Sequence, residues 1–230
     1  MLTVEGLNQG YAGSQILWNM ALEVPEGSCT CVMGRNGVGK TTLLKAIMGS
    51  VKTMGGKITL AGTELAGSPP ESRAKRGIGY VPQGREIFPQ LTVGENLELG
   101  VSTATRRGRI PERIFELFPV LRSMLNRRGG DLSGGQQQQL AIGRALALKP
   151  KLLILDEPTE GIQPNIVGEI GDILMRLNRE EGLTLLLVEQ KLAFARKVAS
   201  NFCIMDRGRS MATGSMSELT DELVSKHLTV

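Results

Sequence analysis

Short leucine-rich or β-branched runs alternate along this chain with longer segments in which apolar residues recur every three or four positions. That alternation is the pattern of a mostly parallel sheet covered by helices. The runs predict strands at 28 to 33, 56 to 60, 78 to 82, 151 to 155, 183 to 188 and 202 to 206. Helices are predicted at 40 to 49, 136 to 148 and 164 to 179; in the last, Ile166, Ile170, Ile173, Leu174 and Leu177 share one face. Between about 85 and 148 the strand rhythm disappears, and helical patterns at 93 to 99 and 111 to 125 flank an Arg/Gly/Thr-rich stretch. The expectation is one α/β domain, with 1–84 and 149–230 forming the core and 85–148 a helical lobe inserted into it.

Composition narrows this picture. A chain of 230 residues with 41% hydrophobic content can bury a sizeable core. Its longest candidate apolar run, Leu183 to Val188, is strand-sized and far short of the roughly 18 to 20 residues that a helix needs to span a bilayer. The N-terminus opens into Leu2, Val4 and Gly6 without the pattern of an export or import signal, so the cytoplasm is the expected location. Cys29, Cys31 and Cys203 lack CxxC spacing, and buried thiols are expected rather than disulfides or a zinc site. A net charge of +4 tolerates an anionic ligand. Nucleic acid is not an expected partner: the clusters Arg106, Arg107, Arg109 and Arg127, Arg128 read as solvated charge, and two Tyr, five Phe and one Trp leave little for base stacking.

Gly34 to Thr41 reads GRNGVGKT, a phosphate-loop pattern lying between an apolar run and a helical segment. Gly34, Gly37 and Gly39 let the backbone turn tightly enough to aim N–H groups at phosphate oxygens, and the helix N-terminus adds partial positive charge. Arg35, Asn36, Val38 and Thr42 complete this candidate ATP-binding segment. Lys40 is expected to reach the β- and γ-phosphates and Thr41 to offer its hydroxyl to Mg²⁺. Lys151 to Pro158 reads KLLILDEP, a buried strand ending in two carboxylates, at the kind of strand end where open α/β sheets bind ligands. Asp156 is the natural Mg²⁺ partner; Glu157 need not share its direction and can polarise a water in line with the γ-phosphate.

In DLSGGQQQQLAIGRALAL, Ser133 and Gln136 form an S-x-x-Q capping box that starts a helix, and Gly134 and Gly135 leave its first amides open to an anion. In isolation this would mark only a well-capped helix. LSGGQ upstream of LLILDEP, with the phosphate loop near the N-terminus, resembles the nucleotide-binding subunits of the ABC family over nearly the whole chain. The resemblance implies a phosphate-loop NTPase fold with an antiparallel N-terminal β part. It implies Tyr11 as the aromatic stacking on adenine, and Gln83 as a residue sensing Mg²⁺ and a membrane partner. It also implies that Ser133 to Gln136 close over ATP held by an opposite subunit. The partners it implies are a second copy or a related ATP-binding subunit, transmembrane permease subunits and, indirectly, a solute-binding protein.

YVPQGREIFPQLTVGENL, DEPTEGIQP and LLLVEQKLAFARKVA are similar to the importer branch for branched-chain amino acids, urea and short amides, and closest to its urea-type subunit. Two positions depart from the general family pattern. Gln190 stands where most members carry a switch histidine, and Gln163 where the loop after the LLILDEP strand usually carries Asp. The first departure is shared by this branch, and Gln190 joins Lys40 and Glu157 as a candidate catalytic residue. Export or lipid extraction, and a non-hydrolysing ATP-dependent clamp, are the competing readings; the VEQ motif argues against the first, and the presence of Lys40 and Glu157 against the second.

Overall fold

The computed structural model of the chain describes residues 1–104 and 109–228; Arg106 and Arg107 lie outside the described residues. Arg109, Arg127 and Arg128 are exposed, as expected of solvated charge.

The chain begins with an antiparallel hairpin, β1 (Leu2–Tyr11) and β2 (Ser14–Val24), before the first central strand, β3 (Cys29–Met33), and α1 (Lys40–Met48). Then come β4 (Gly55–Leu60), β5 (Thr63–Glu64), α2 (Pro70–Lys75) and β6 (Ile78–Val81). Four helices follow without an intervening strand among the described residues: α3 (Val93–Ala104), α4 (Glu112–Leu117), α5 (Pro119–Ser123) and α6 (Gly134–Leu146). The remainder is β7 (Leu152–Asp156), α7 (Pro164–Arg179), β8 (Thr184–Val188), α8 (Leu192–Val198), β9 (Asn201–Asp206), β10 (Arg209–Ser215) and α9 (Asp221–His227).

Six strands form one sheet in the order β10-β9-β3-β8-β7-β6, all parallel except β10, which runs antiparallel to β9. The central strands β3, β7 and β8 are buried at every position, the mark of a parallel sheet covered on both faces. Alternate residues go to opposite sides. Leu153 and Leu155 join the core shared with α3 to α8, while Leu152 and Ile154 join the core shared with α1 and the antiparallel strands. Ile170, Leu174 and Leu177 of α7 are buried, and Ile166 and Ile173 pack against the same core, so the predicted stripe holds the helix to the sheet. Each fully buried leucine on that stripe contributes about 2 kcal/mol. All three cysteines are buried and free. Burial pushes the Cys29 thiol up to about 12, which makes it chemically inert at neutral pH.

Two predictions need correction. The run at 56 to 60 belongs to a second, antiparallel sheet, β2-β1-β4-β5, where β4 pairs with β1 from Leu2↔Leu60 to Glu5↔Lys57. Its half-exposed character is what separates it from the fully buried parallel strands. The single helix at 111 to 125 is two helices, because Phe118 precedes Pro119 and is driven out of the helical region to φ −130, ψ 73.

Candidate functional site

The loops that leave β3, β6, β7 and β8 at their C-terminal ends meet around a cavity of about 560 Å³, lined by Ile16, Asn36, Gly37, Gly39, Lys40, Thr41, Thr42, Gln83, Glu157, Glu160 and Gln190. Two cavities of similar volume, 530 and 540 Å³, lie around Lys149 and Lys151 near the strands' other ends. Size therefore does not single out the site; its residues do.

The phosphate loop is built as its glycines require. Gly39 has φ 107, and a Cβ there would lie 3.1 Å from Ile16 Cγ2 and from Met205 Cε. At Gly34 a Cβ would lie 2.4 Å from the Met205 carbonyl oxygen, so the loop can run against β9 only as glycine. Helix α1 starts at Lys40 with no side-chain cap, leaving its first-turn amides for a ligand. Lys40 is buried; its ammonium donates to the carbonyls of Gly34 (2.8 Å) and Arg35 (2.9 Å) and pairs with Glu157 at 3.7 Å. Burial lowers its titration and the facing Glu157 charge partly restores it. Val38 packs into the core, and Arg35 and Asn36 are exposed.

Asp156 is 1% exposed and neither carboxylate oxygen completes a hydrogen bond of ordinary geometry within the protein. Burial is the main reason its pKa is pushed up to about 6; the Thr41 hydroxyl draws it partly back, and the Glu157 charge adds to the rise. An anion left this way in a protein interior is costly, and a cation beside it removes the cost. Asp156 lies against the Thr41 hydroxyl, an oxygen pair whose chemistry fits Mg²⁺, which uses few protein ligands and completes its shell from water and phosphate; Gln83 lines the same cavity as Thr41.

Glu157 follows the strand in a left-handed conformation, φ 49, fixed by its N–H donating to the Val188 carbonyl at 2.9 Å. Such strain in a residue other than glycine persists only where the surroundings hold it, and it concentrates at functional sites. The Gln190 amide donates both hydrogens, to Glu157 Oε1 at 2.6 Å and to Asn36 Oδ1 at 2.7 Å, tying the carboxylate to the phosphate loop. Gln83 donates to Glu160 Oε2 at 3.0 Å.

Tyr11 stands apart from this set. It is 43% exposed at the tip of the β1–β2 hairpin, and the residue of that hairpin lining the cavity is Ile16. Ser133 and Gln136 form the predicted capping box: the Gln136 N–H donates to Ser133 Oγ, and the Ser133 N–H donates to Gln136 Oε1. These residues line a different cavity, between α5 and α7, and not the one at the phosphate loop. Gly134 lies against the Arg85 guanidinium, and at Gly135 a Cβ would come within 2.9 Å of Ile166 Cγ2, so a side chain there would displace its neighbour. Within one copy, then, the structure gathers Lys40, Thr41, Asp156, Glu157, Gln83 and Gln190 and leaves the LSGGQ signature segment, Ser133 to Gln136 at the start of the signature helix α6, elsewhere.

Sequence reasoning missed Glu160 and Arg85 as parts of this arrangement. Arg85, at φ 72, donates to the Glu160 carbonyl and to Gln137 Oε1, each at 3.2 Å, and so bridges the loop after β7 to the signature helix. Only the acidic residue in DEPTE gave any signal.

Comparison with known proteins agrees with the geometry. The ABC transporter family profile matches residues 17–160. The high-affinity branched-chain amino acid transport ATP-binding protein BraG of Pseudomonas aeruginosa is 40% identical over 211 residues, spanning 91% of this chain and 90% of that protein. The probable branched-chain amino acid transport ATP-binding protein LivF of Archaeoglobus fulgidus is 38% identical over 224 residues, spanning 96% and 94%. A cassette solved as a dimer in a post-hydrolysis state with ADP and Pi superposes with a TM-score of 0.85 at 26% identity, covering 94% of this chain and 99% of that one.

Proposed function

The chain belongs to the ABC transporter family, as an ATP-binding subunit with ATPase activity coupled to transport, and we propose that it drives import of a small solute (urea, a short amide or a branched-chain amino acid) through separate membrane subunits. The observation that carries this reading is the placement of Lys40, Thr41 and the strained Glu157 around one cavity at the phosphate loop, with the buried Asp156 directly behind them against Thr41.

In this reading ATP seats its phosphates on Gly34 to Thr42, with Lys40 as counter-charge and the α1 amides as donors. Asp156, Thr41 and Gln83 would hold Mg²⁺, whose positive charge would offset the negative charge of the phosphates. Glu157 accepts a proton from the attacking water; the new P–O bond forms at the γ-phosphorus as the bond to the β-phosphate oxygen breaks, giving ADP and phosphate. Gln190 keeps the Glu157 carboxylate turned toward the phosphate loop through its two hydrogen bonds. Tyr11, exposed on the same hairpin as Ile16, supplies the ring for adenine.

Ser133 to Gln136 act on ATP held by a second copy or a related subunit, which is why they lie outside the cavity of their own chain. Residues 85–148 form the helical lobe that carries them. Docking to the permease uses the segment from Arg85 to Phe88. Asn96 anchors the Phe88 backbone at both N–H and carbonyl, while the ring stays 50% exposed above Arg144. Ile87 packs inward and anchors the lobe. No described helix is long and apolar enough to cross a membrane; attachment to the inner face of the cell membrane comes through the permease.

The names of the two relatives weigh toward a branched-chain amino acid as the solute, and the motif resemblance toward urea. Copurified permease subunits reconstituted in vesicles decide it. Labelled leucine and labelled urea are offered on the side opposite this chain with Mg-ATP on the side of this chain, and movement of either toward this chain that stops with Lys40→Ala supports an importer. ATP-driven movement in the opposite direction would replace that reading with an exporter.

A further inference from the structure

Beside the cavity, Glu189 is 2% exposed yet carries a full set of donors. Its Oε2 accepts the backbone N–H of Gln190 at 2.7 Å and of Lys191 at 2.8 Å. Its Oε1 accepts the hydroxyl of Thr159, itself 1% exposed. Lys191 returns across the gap, its ammonium donating to the Thr159 carbonyl at 2.9 Å. Further along the same loop, Glu160 meets Gln83 and Arg85. Three side chains from the loop after β8 thus hold the loop after β7: Gln190 on Glu157, Glu189 on the Thr159 hydroxyl, and Lys191 on the Thr159 carbonyl.

The chemistry of this stitch is selective. A glutamate satisfying two backbone amides at the start of α8 needs only one carboxylate oxygen to do so. Its second oxygen goes to Thr159, thirty residues earlier in sequence, on the segment that also carries Glu157. The two peptide amides on Glu189 fix where the Gln190 backbone stands, and so fix the origin from which the Gln190 side chain reaches Asn36 and Glu157. Local capping alone would need no partner in the loop after β7.

We propose that Glu189, acting with Thr159, is a positioning residue for hydrolysis: it locks the loops after β7 and β8 in the register that aims Glu157 and Gln190 at the γ-phosphate. It touches neither nucleotide nor metal and acts through those two side chains. The inference rests on the ATPase reading above.

The test compares the wild type with Thr159→Val, Thr159→Ser and Glu189→Gln, measuring kcat and KM for Mg-ATP, affinity for trinitrophenyl-ATP and the thermal midpoint. Valine keeps the shape of threonine but leaves Glu189 Oε1 without its donor, and kcat is expected to fall about 10- to 100-fold, the usual range for a hydrogen bond to a buried charge. Analogue affinity should stay within about twofold. Thr159→Ser restores the hydroxyl and should return kcat to within about threefold of wild type. Glu189→Gln should also retain most activity, because the amide oxygen can accept both backbone N–H groups while the amide nitrogen donates to the Thr159 hydroxyl. Unchanged kcat in folded Thr159→Val overturns the proposal. So does a joint fall in kcat, affinity and thermal midpoint that serine fails to rescue, which would make the contact merely structural. Absence of turnover in the wild type would instead remove the ATPase reading itself.

Discussion

Replacing Asp156 by Asn isolates the energetic consequence of burying an anion where a cation is to bind. In the ligand-free chain the carboxyl titrates near 6 rather than at its ordinary 3.8, with burial the largest cause. The folded state therefore binds this proton more tightly than the unfolded chain. Its contribution to stability is fully present below 3.8 and is lost as the pH rises through about 6. From pH 4.5 to 7.5 the ionised carboxylate should cost about 2 kcal/mol that the neutral amide does not feel. Asparagine brings its own unpaired amide group, so the absolute difference between the two proteins is not informative. The change in that difference with pH is, because any constant offset cancels. Urea unfolding of wild type and Asp156→Asn at several pH values should show the variant gaining on the wild type by about 2 kcal/mol as pH rises, then levelling above pH 7. Saturating Mg-ATP should flatten the trend by neutralising the carboxylate. A difference independent of pH, or one of the opposite sign, would refute the view that Asp156 is a strained anion awaiting a cation.

Lys40→Ala should weaken ATP binding in an equilibrium titration, whereas Glu157→Gln should preserve binding and slow turnover about 10² to 10⁴-fold, the range for loss of a general base. Gln190→Ala should lower turnover at saturating Mg-ATP without reshaping its pH profile, since an amide does not titrate there; His227→Ala, on α9 and outside the cavity lining, should be nearly silent. Leu174→Ala, at a fully buried position of α7, should cost about 2 to 5 kcal/mol in unfolding free energy while the folded fraction still binds ATP.

The sequence pattern reveals elements whose signal is continuous. β3, β7 and β8 are uninterrupted apolar runs because both faces are covered, and the α7 stripe keeps one phase over its buried length. β1 and β2 escape such a reading because their register shifts between Val4 and Leu7 and again near Gln9, with Gly6 and Asn19 at positive φ. Each irregularity flips the alternation to the other face. Helices α2, α8 and α9 have only six or seven residues, too few to establish a helical period. The site divides in the same way. Lys40, Thr41, Asp156 and Glu157 lie in contiguous motifs whose order along the chain states their chemistry. The contact of Gln190 with Asn36 joins positions 154 residues apart, and the bridge from Arg85 to Gln137 exists only because the fold brings α6 beside the loop after β6. Tyr11 shows the converse: the hairpin leaves it exposed and outside the cavity lining, which Ile16 joins instead.

The separation of the signature helix from the phosphate loop within one chain makes assembly the central claim, and light-scattering mass after size exclusion tests it most directly. Glu157→Gln, which should bind Mg-ATP without hydrolysing it, is expected to double from the 24.8 kDa of one copy on addition of Mg-ATP, and a further Ser133→Arg change should return it to a single copy with ATP still bound. A Glu157→Gln protein that binds ATP yet keeps the mass of one copy at high concentration would contradict the composite site.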